Sequence, residues 1–294
     1  MSTKFKIIFG VLVVVELLLL ASFFLGSPNI QVLNPQGPIA RQERDLIIAA
    51  TLIMLTIIGP VYFSIFFMAR RYREGNRSID RSHKIKNNKL IEVCWWIWPM
   101  IIVATIAAIT WKATHHLDPY KPINSNVEPV KIQVVALRWK WLFIYPHQNI
   151  ATINFVQFPK DTPVNFELTS DAPMNSFWIP SLSGQIYAMT GMSTKLHLVA
   201  DKEGDYPGSA AEINGVGFSG MKFTARSSTK DQFDEWVAGV KRDGKALSAK
   251  SYEKLSLPSI NESVAHYSSV ERGLYNKIIM KYMFDPGSKM HHHE

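Results

Sequence analysis

Two long stretches without a charged residue constrain this chain more than anything else in it. Leu46 through Ala69 spans 24 positions and Val93 through Trp111 spans 19, and neither contains Asp, Glu, Lys or Arg. Each is long enough to cross a hydrocarbon core of about 30 Å. Both therefore read as transmembrane helices. Pro60 and Pro99 fall inside them, where neighbouring helices and local adjustment can repair a broken backbone bond.

The formal net charge of +8 would suit a nucleic-acid binder if it were spread over one domain, but it is concentrated between the spans. Residues 70–91 hold Arg70, Arg71, Arg73, Arg77, Arg81, Lys84, Lys86 and Lys89 against only Glu74 and Asp80. A short basic loop between two spans lies on the cytoplasmic side by the positive-inside rule, and this argues against a nucleic-acid partner. The chain beyond Trp111 is then external. Trp95, Trp96, Trp98 and Trp111 fit an interfacial belt in contact with membrane lipid, or packing against neighbouring subunits.

Residues 1–27 read as a signal sequence or a first transmembrane helix. Lys4 and Lys6 precede an apolar run interrupted by Glu16, and Leu20-Ala21-Ser22-Phe23 has a lipoprotein-signal shape with Phe in the Cys position. The only cysteine is Cys94, inside a span. The external part thus has no disulfide and no thiolate ligand.

The expected organisation is a transmembrane hairpin over 28–111, a β-rich domain over 112–227 and a helical aromatic-rich segment over 228–294. Val130–Tyr145, Ala151–Phe158, Pro163–Thr169, Lys195–Ala200 and Met221–Ala225 carry strand patterning between turn signals, which predicts a Greek-key sandwich. Gln232–Lys241 and Ala249–Leu255 are helix-like. Tyr267, Tyr275, Tyr282 and Phe284 mark a tail that packs on the sandwich or on another subunit.

The layout and two motifs resemble subunit II of the haem-copper oxidases. In the cytochrome c branch of that family, a cupredoxin domain holds a binuclear copper centre. Its ligands come from a His ahead of a Ser- and Pro-containing element and from Cys-x-x-x-Cys-x-x-x-His-x-x-Met. Here Asn175-Ser176-Phe177-Trp178-Ile179-Pro180-Ser181-Leu182 occupies the first element, and Ala210 through Met221 occupies the second at unchanged spacing. The ligand positions read Asn175, Ala210, Asn214 and Phe218; Glu212 and Met221 are retained. Copper of this kind depends on thiolates and imidazoles, so no metal is expected.

A frame without its ligands resembles the quinol-oxidising branch, most closely the cytochrome bo-type ubiquinol oxidases. Gln185-Ile186-Tyr187-Ala188-Met189 and Gly217 through Phe223 carry that closer likeness. The resemblance implies a membrane-anchored, mainly-β subunit in the bacterial inner membrane with its C-terminal domain in the periplasm. The complex would oxidise ubiquinol, reduce dioxygen to water and pump protons. Haems, the remaining copper and quinol would sit in subunit I, a partner along with other subunits, and this chain would hold no catalytic residue. The resemblance also places Glu92 near the cytoplasmic mouth of a proton channel of subunit I; an interfacial carboxylate balancing Lys89 is the alternative.

Other residues admit two readings. Trp139 and Trp141 lie near an electron-entry route in the copper-bearing branch, or simply pack. His115 and His116 are a solvated interfacial pair or titrating groups, His197 sits on a strand face, and His291, His292 and His293 suggest a terminal tract. A free-standing periplasmic copper carrier would want Cys, His and Met clustered in the domain. A membrane-anchored binding module without an oxidase partner is opposed only by the resemblance.

Overall fold

The computed structural model describes residues 30–72 and 89–283. They fall into two compact units, one formed by residues 44–72 and 89–118 and the other by residues 30–43 and 119–283. The expectations for residues 1–27, for most of the basic loop and for His291–His293 lie outside the described residues.

The first unit is helical. Helix α1 (Pro38–Arg71), which begins in the other unit, carries Pro60, and α2 (Lys89–His116) carries Pro99. Each contains a stretch long and apolar enough to cross a membrane. Their side chains are outward-facing nearly all round, with Trp95, Trp96 and Trp111 more than two-thirds exposed. An apolar surface on every face is a solution for lipid or for partner helices, not for water. The second helix runs past Lys112 to His116, and in its last turns Thr114 Oγ1 donates to Thr110 O at 2.7 Å and the His115 ring packs on Trp111.

The second unit is a two-sheet sandwich. Its strands are β1 (Val130–Leu137), β2 (Lys140–Tyr145), β3 (Ile150–Ile153), β4 (Phe155–Pro159), β5 (Val164–Ser170), β6 (Asn175–Trp178), β7 (Ile186–Ala188), β8 (Thr194–Leu198), β9 (Gly204–Ala210), β10 (Lys222–Ser228), β11 (Lys245–Leu247) and β12 (Ala265–Val270). They assort into a seven-stranded sheet, β11-β12-β3-β2-β1-β5-β8, and a five-stranded sheet, β4-β10-β9-β6-β7. Two of the predicted strand stretches are each two strands. Val130–Tyr145 folds back at Trp139 and Ala151–Phe158 breaks at Asn154, both left-handed in φ at 68° and 53°. The break at Asn154 passes the chain from one sheet to the other. Its side chain makes the break possible by accepting from Trp141 N at 2.8 Å and donating to Glu262 O at 2.8 Å.

Period-two alternation sorts the side chains of the larger sheet to two cores. Ile132, Val134, Ala136, Trp141, Phe143 and Tyr145 point between the sheets, where they meet Phe158, Phe166, Phe177, Met221 and Phe223. Phe177 and Phe223 stack with centroids 4.9 Å apart and Trp141 meets Phe177 edge-on. Helix α3 (Lys230–Asp243) closes this core with Phe233, Val237 and Val240, and a Thr229–Gln232 capping box fixes its start. The alternate residues Val135, Leu137, Leu142, Ile144, Ala151 and Ile153 form a second core on the outer face.

The C-terminal segment supplies the cover for that outer face. Leu247, Tyr252 from α4 (Ala249–Ser256), and Leu274, Tyr275 and Ile278 from α5 (Leu274–Met283) pack onto it. Each such side chain, fully buried, contributes about 1.5–3 kcal/mol of apolar transfer. The helical segment expected from residue 228 onward also carries two short strands that extend the sheet, β12 pairing antiparallel with β3 and β11 parallel with β12. The free edge of β3 explains this, because its unpaired peptide groups select an extended partner whatever the partner's local preference.

Candidate functional site

Strand β6 carries Asn175 at its first position, and the end of β9 with the adjoining loop carries Ala210 through Gly220 to Met221. Pairing of Phe177 with Ala210, together with hydrogen bonds from Ala211 N to Ser176 O at 2.9 Å and Ala210 N to Met221 O at 3.0 Å, folds the two motif segments onto one end of the sandwich. Asn175 and Met221 are wholly buried. Asn214 Nδ2 donates to Asn175 Oδ1 and also approaches Met221 Sδ at 3.6 Å. Asn175 Nδ2 donates to Pro173 O at 2.9 Å, so both amides are oriented by their surroundings.

Three of the six positions singled out in the sequence, Asn175, Asn214 and Met221, therefore touch. Ala210 lies beside them on the paired strands; Phe218 turns its ring to the inter-sheet core, and Glu212 is half-exposed on the loop. Two amides, a thioether, a methyl and a phenyl ring offer no anionic sulfur and no imidazole, so this donor set does not fit a binuclear copper centre. What the arrangement can do is bind itself: the amide pair fills the place with a direct hydrogen bond.

Trp139 and Trp141 separate cleanly. Trp141 is a core residue with no exposed surface. Trp139, at the β1–β2 turn, lays its ring against Gly215 and Gly217, where a Cβ on Gly217 would collide with the indole. His197 is buried on β8, and its Nδ1 lies 2.9 Å from Pro119 O in the linker. His115 and His116 are exposed at the end of α2, and Glu92 is exposed in its first turn, where the helix N-terminus favours an acid.

The residues missed in the sequence are those that join the C-terminal segment to this end of the sandwich. Asp171 is buried, and its carboxylate accepts from Tyr252 Oη at 2.6 Å, Tyr282 Oη at 2.5 Å and Lys281 Nζ at 2.8 Å. Burial, and then the adjoining Asp171, hold both phenols well above the usual tyrosine range. Lys140 is buried too; its ammonium donates to Leu257 O at 3.1 Å and Ser259 Oγ at 2.5 Å, with Glu262 at 3.5 Å. No local pattern announces either cluster, because every partner lies at least 81 residues away. The one available signal was chemical: a Lys between two tryptophans on a strand must find buried acceptors.

Comparison with known families agrees with this anatomy segment by segment. Residues 29–112 match the cytochrome c oxidase subunit II transmembrane domain, residues 145–228 its periplasmic domain, and residues 241–285 the COX aromatic rich motif. The fold and the site together define an oxidase-type subunit II, anchored by helices. Among similar proteins, cytochrome bo(3) ubiquinol oxidase subunit 2 of Pseudomonas aeruginosa is 46% identical over 261 residues, covering 89% of this chain and 79% of that one. Ubiquinol oxidase subunit 2 of Acetobacter aceti is 42% identical, covering 89% and 86%. Quinol oxidase subunit 2 of Bacillus cereus is 38% identical, covering 81% and 82%. This chain belongs to the quinol oxidase subunit II family.

Proposed function

We propose that this chain is a non-redox subunit of a proton-translocating oxidase that takes electrons from ubiquinol and reduces dioxygen to water. The observation that carries this reading is the Asn175–Asn214 hydrogen bond beside Met221, which puts two hydrogen-bonded amides where an electron-accepting copper pair would need thiolates and imidazoles. Electron entry then bypasses this domain. Haems, copper and the quinol pocket belong to subunit I, and this chain contributes anchorage, assembly contacts and a folded external domain on the periplasmic side of the inner membrane. It crosses that membrane at least twice, in contact with lipid and with subunit I.

Glu92 is assigned the collection of protons at the cytoplasmic mouth of a channel in subunit I. Its position in the first turn of α2, directly after the basic loop, supports this reading, since it sets an exposed carboxylate at the end of an apolar span where protons would enter.

The deciding experiment is gentle solubilisation of the native membrane and isolation of this chain from the extract. Haem absorbance and quinol oxidase activity are expected to travel with it. Isolation of the intact chain free of haem, from membranes that retain full quinol oxidase activity, would overturn the assignment.

A further inference from the structure

Three loops meet around Asn175, Asn214 and Met221, and the C-terminal segment touches all three. The first is Ser170–Asn175, which delivers Asn175. It is tied to β1 by Asp171 N donating to Ala136 O at 2.9 Å and braced within itself by Ala172 N donating to Ser170 Oγ at 3.1 Å and Asn175 Nδ2 to Pro173 O at 2.9 Å. Tyr252, Lys281 and Tyr282 grip it at Asp171. The second is the β1–β2 turn, which lays Trp139 over Gly215 and Gly217. Residues on both sides of Trp139 are held, Arg138 O accepting from Ser259 N at 3.2 Å and Lys140 donating to Leu257 O and Ser259 Oγ. The third is Ala211–Gly220, which delivers Asn214. There the Asn261 side-chain oxygen takes up the space that a Cβ on Gly220 would need.

We propose that the C-terminal aromatic-rich segment is a clamp that positions the loops around the Asn175–Asn214 pair, gripping the domain at Asp171, Arg138–Lys140 and Gly220. The physical case is one of economy of order. A ten-residue loop with glycines at 215, 217 and 220 has much conformational entropy to lose. One side-chain hydrogen bond and one sulfur contact from Asn214 are a small return for that loss. Fixing the neighbouring surfaces first, Trp139 on one side and Asn261 on the other, leaves the loop fewer alternatives. Tyr252, Tyr282 and Asn261 are positioning residues in this scheme: none touches Asn175 or Asn214, and each acts through another residue. The scheme concerns order within this chain and stands whether or not the assembled complex oxidises quinol.

The test is hydrogen exchange, read by mass spectrometry on the detergent-solubilised complex containing the full chain. Peptides covering 171–176 and 210–221 report on the loops, and peptides from β1, β2 and β5 report on the core. The Tyr252→Phe/Tyr282→Phe double variant keeps both rings and removes both phenolic donors to Asp171. Exchange in the two loop peptides is expected to accelerate about tenfold or more beyond any acceleration seen in the core strands, the signature of a local opening added to the global one. Unchanged loop exchange would overturn the clamp. Equal acceleration in loops and core would overturn it as well, by reducing the segment to a general stabiliser. Should the double variant fail to assemble, Asn261→Gly, which removes the side-chain contact at Gly220 while accepting the left-handed φ of 55° at that position, carries the same prediction for 210–221. Lys230→Met, at an exposed ion pair on α3, is expected to leave loop exchange unchanged; acceleration there too would count against the proposal.

Discussion

The Tyr252 hydroxyl donates to Asp171 Oδ2 at 2.6 Å across 81 residues of chain, joining α4 to the loop that leads into β6. The bond is buried and charge-assisted, a type whose contribution is about 1.5–3 kcal/mol. Tyr252→Phe is therefore expected to destabilise the external domain by that amount, seen as a lower midpoint in thermal unfolding monitored by near-ultraviolet circular dichroism. Asp171→Ala is expected to cost more, because it strips the acceptor from Tyr252, Tyr282 and Lys281 together. A parental midpoint in both variants would show that the network is dispensable.

Alkaline pH should unfold this domain sharply. Burial raises the phenols of Tyr145, Tyr252, Tyr275 and Tyr282 above their usual value of about 10. Above that pH the unfolded chain releases phenolic protons that the folded chain retains. The unfolded state then binds fewer protons, so stability is fully present below pH 10 and falls as pH rises past it. Phenolate absorbance from these four residues should appear together with the loss of circular dichroism, not ahead of it. Gradual ionisation at constant ellipticity would contradict the burial assigned to them.

The amide-filled site makes a prediction about copper. The native chain is expected to take up none stoichiometrically at the Asn175–Asn214 position. Asn175→His, Ala210→Cys, Asn214→Cys and Phe218→His combined should produce a thiolate-to-copper absorption band on loading with Cu(II). Tight copper at this position in the unaltered protein, measured by metal analysis of washed samples, would remove the reason for excluding electron transfer from this domain.

Glu92 is tested by an amide of the same size. Glu92→Gln is expected to leave haem content and assembly unchanged while slowing turnover about tenfold, equivalent to about 1.4 kcal/mol of added barrier. Glu92→Asp should recover part of the rate. Turnover equal to the parent in the Gln variant, on assembled enzyme at saturating quinol, would end the proton-collecting role. Lys89→Glu would then be the informative change, impairing insertion through loss of positive-inside bias.

Much of this anatomy is legible in the residues alone. Charge-free runs locate the two long helices because lipid admits no cheap alternative. Strand patterning locates β5 and the stretch that β1 and β2 share, and motif spacing brings Asn175, Asn214 and Met221 to one place. What could not be read depends on partners remote in the chain. Ala265–Val270 has little hydrophobic patterning, being Ala-His-Tyr-Ser-Ser-Val, and is a strand because β3 has a free edge beside it. Ile186–Ala188 and Lys245–Leu247 are three residues each, too short for a period to register. Asp171 looks like an ordinary turn aspartate after Ser170, and its role arises from hydroxyls and an ammonium supplied by residues 252, 281 and 282.

The larger sheet is covered on its outer face by a part of the chain that a ribosome makes after the strands it covers. Until residues 247–278 have been synthesised and delivered, Leu137, Leu142, Ile144 and Ile153 have nothing to lie against, and β3 has an open edge. An open edge beside an uncovered apolar face invites pairing with other chains. Folding of this domain is thus timed by the arrival of residues 247–278. A chain stopped short near residue 244 would retain both halves of the amide site, yet present a sticky surface to whatever quality-control machinery meets it first. Synthesis through residue 278 is in this sense a checkpoint written into the order of the strands.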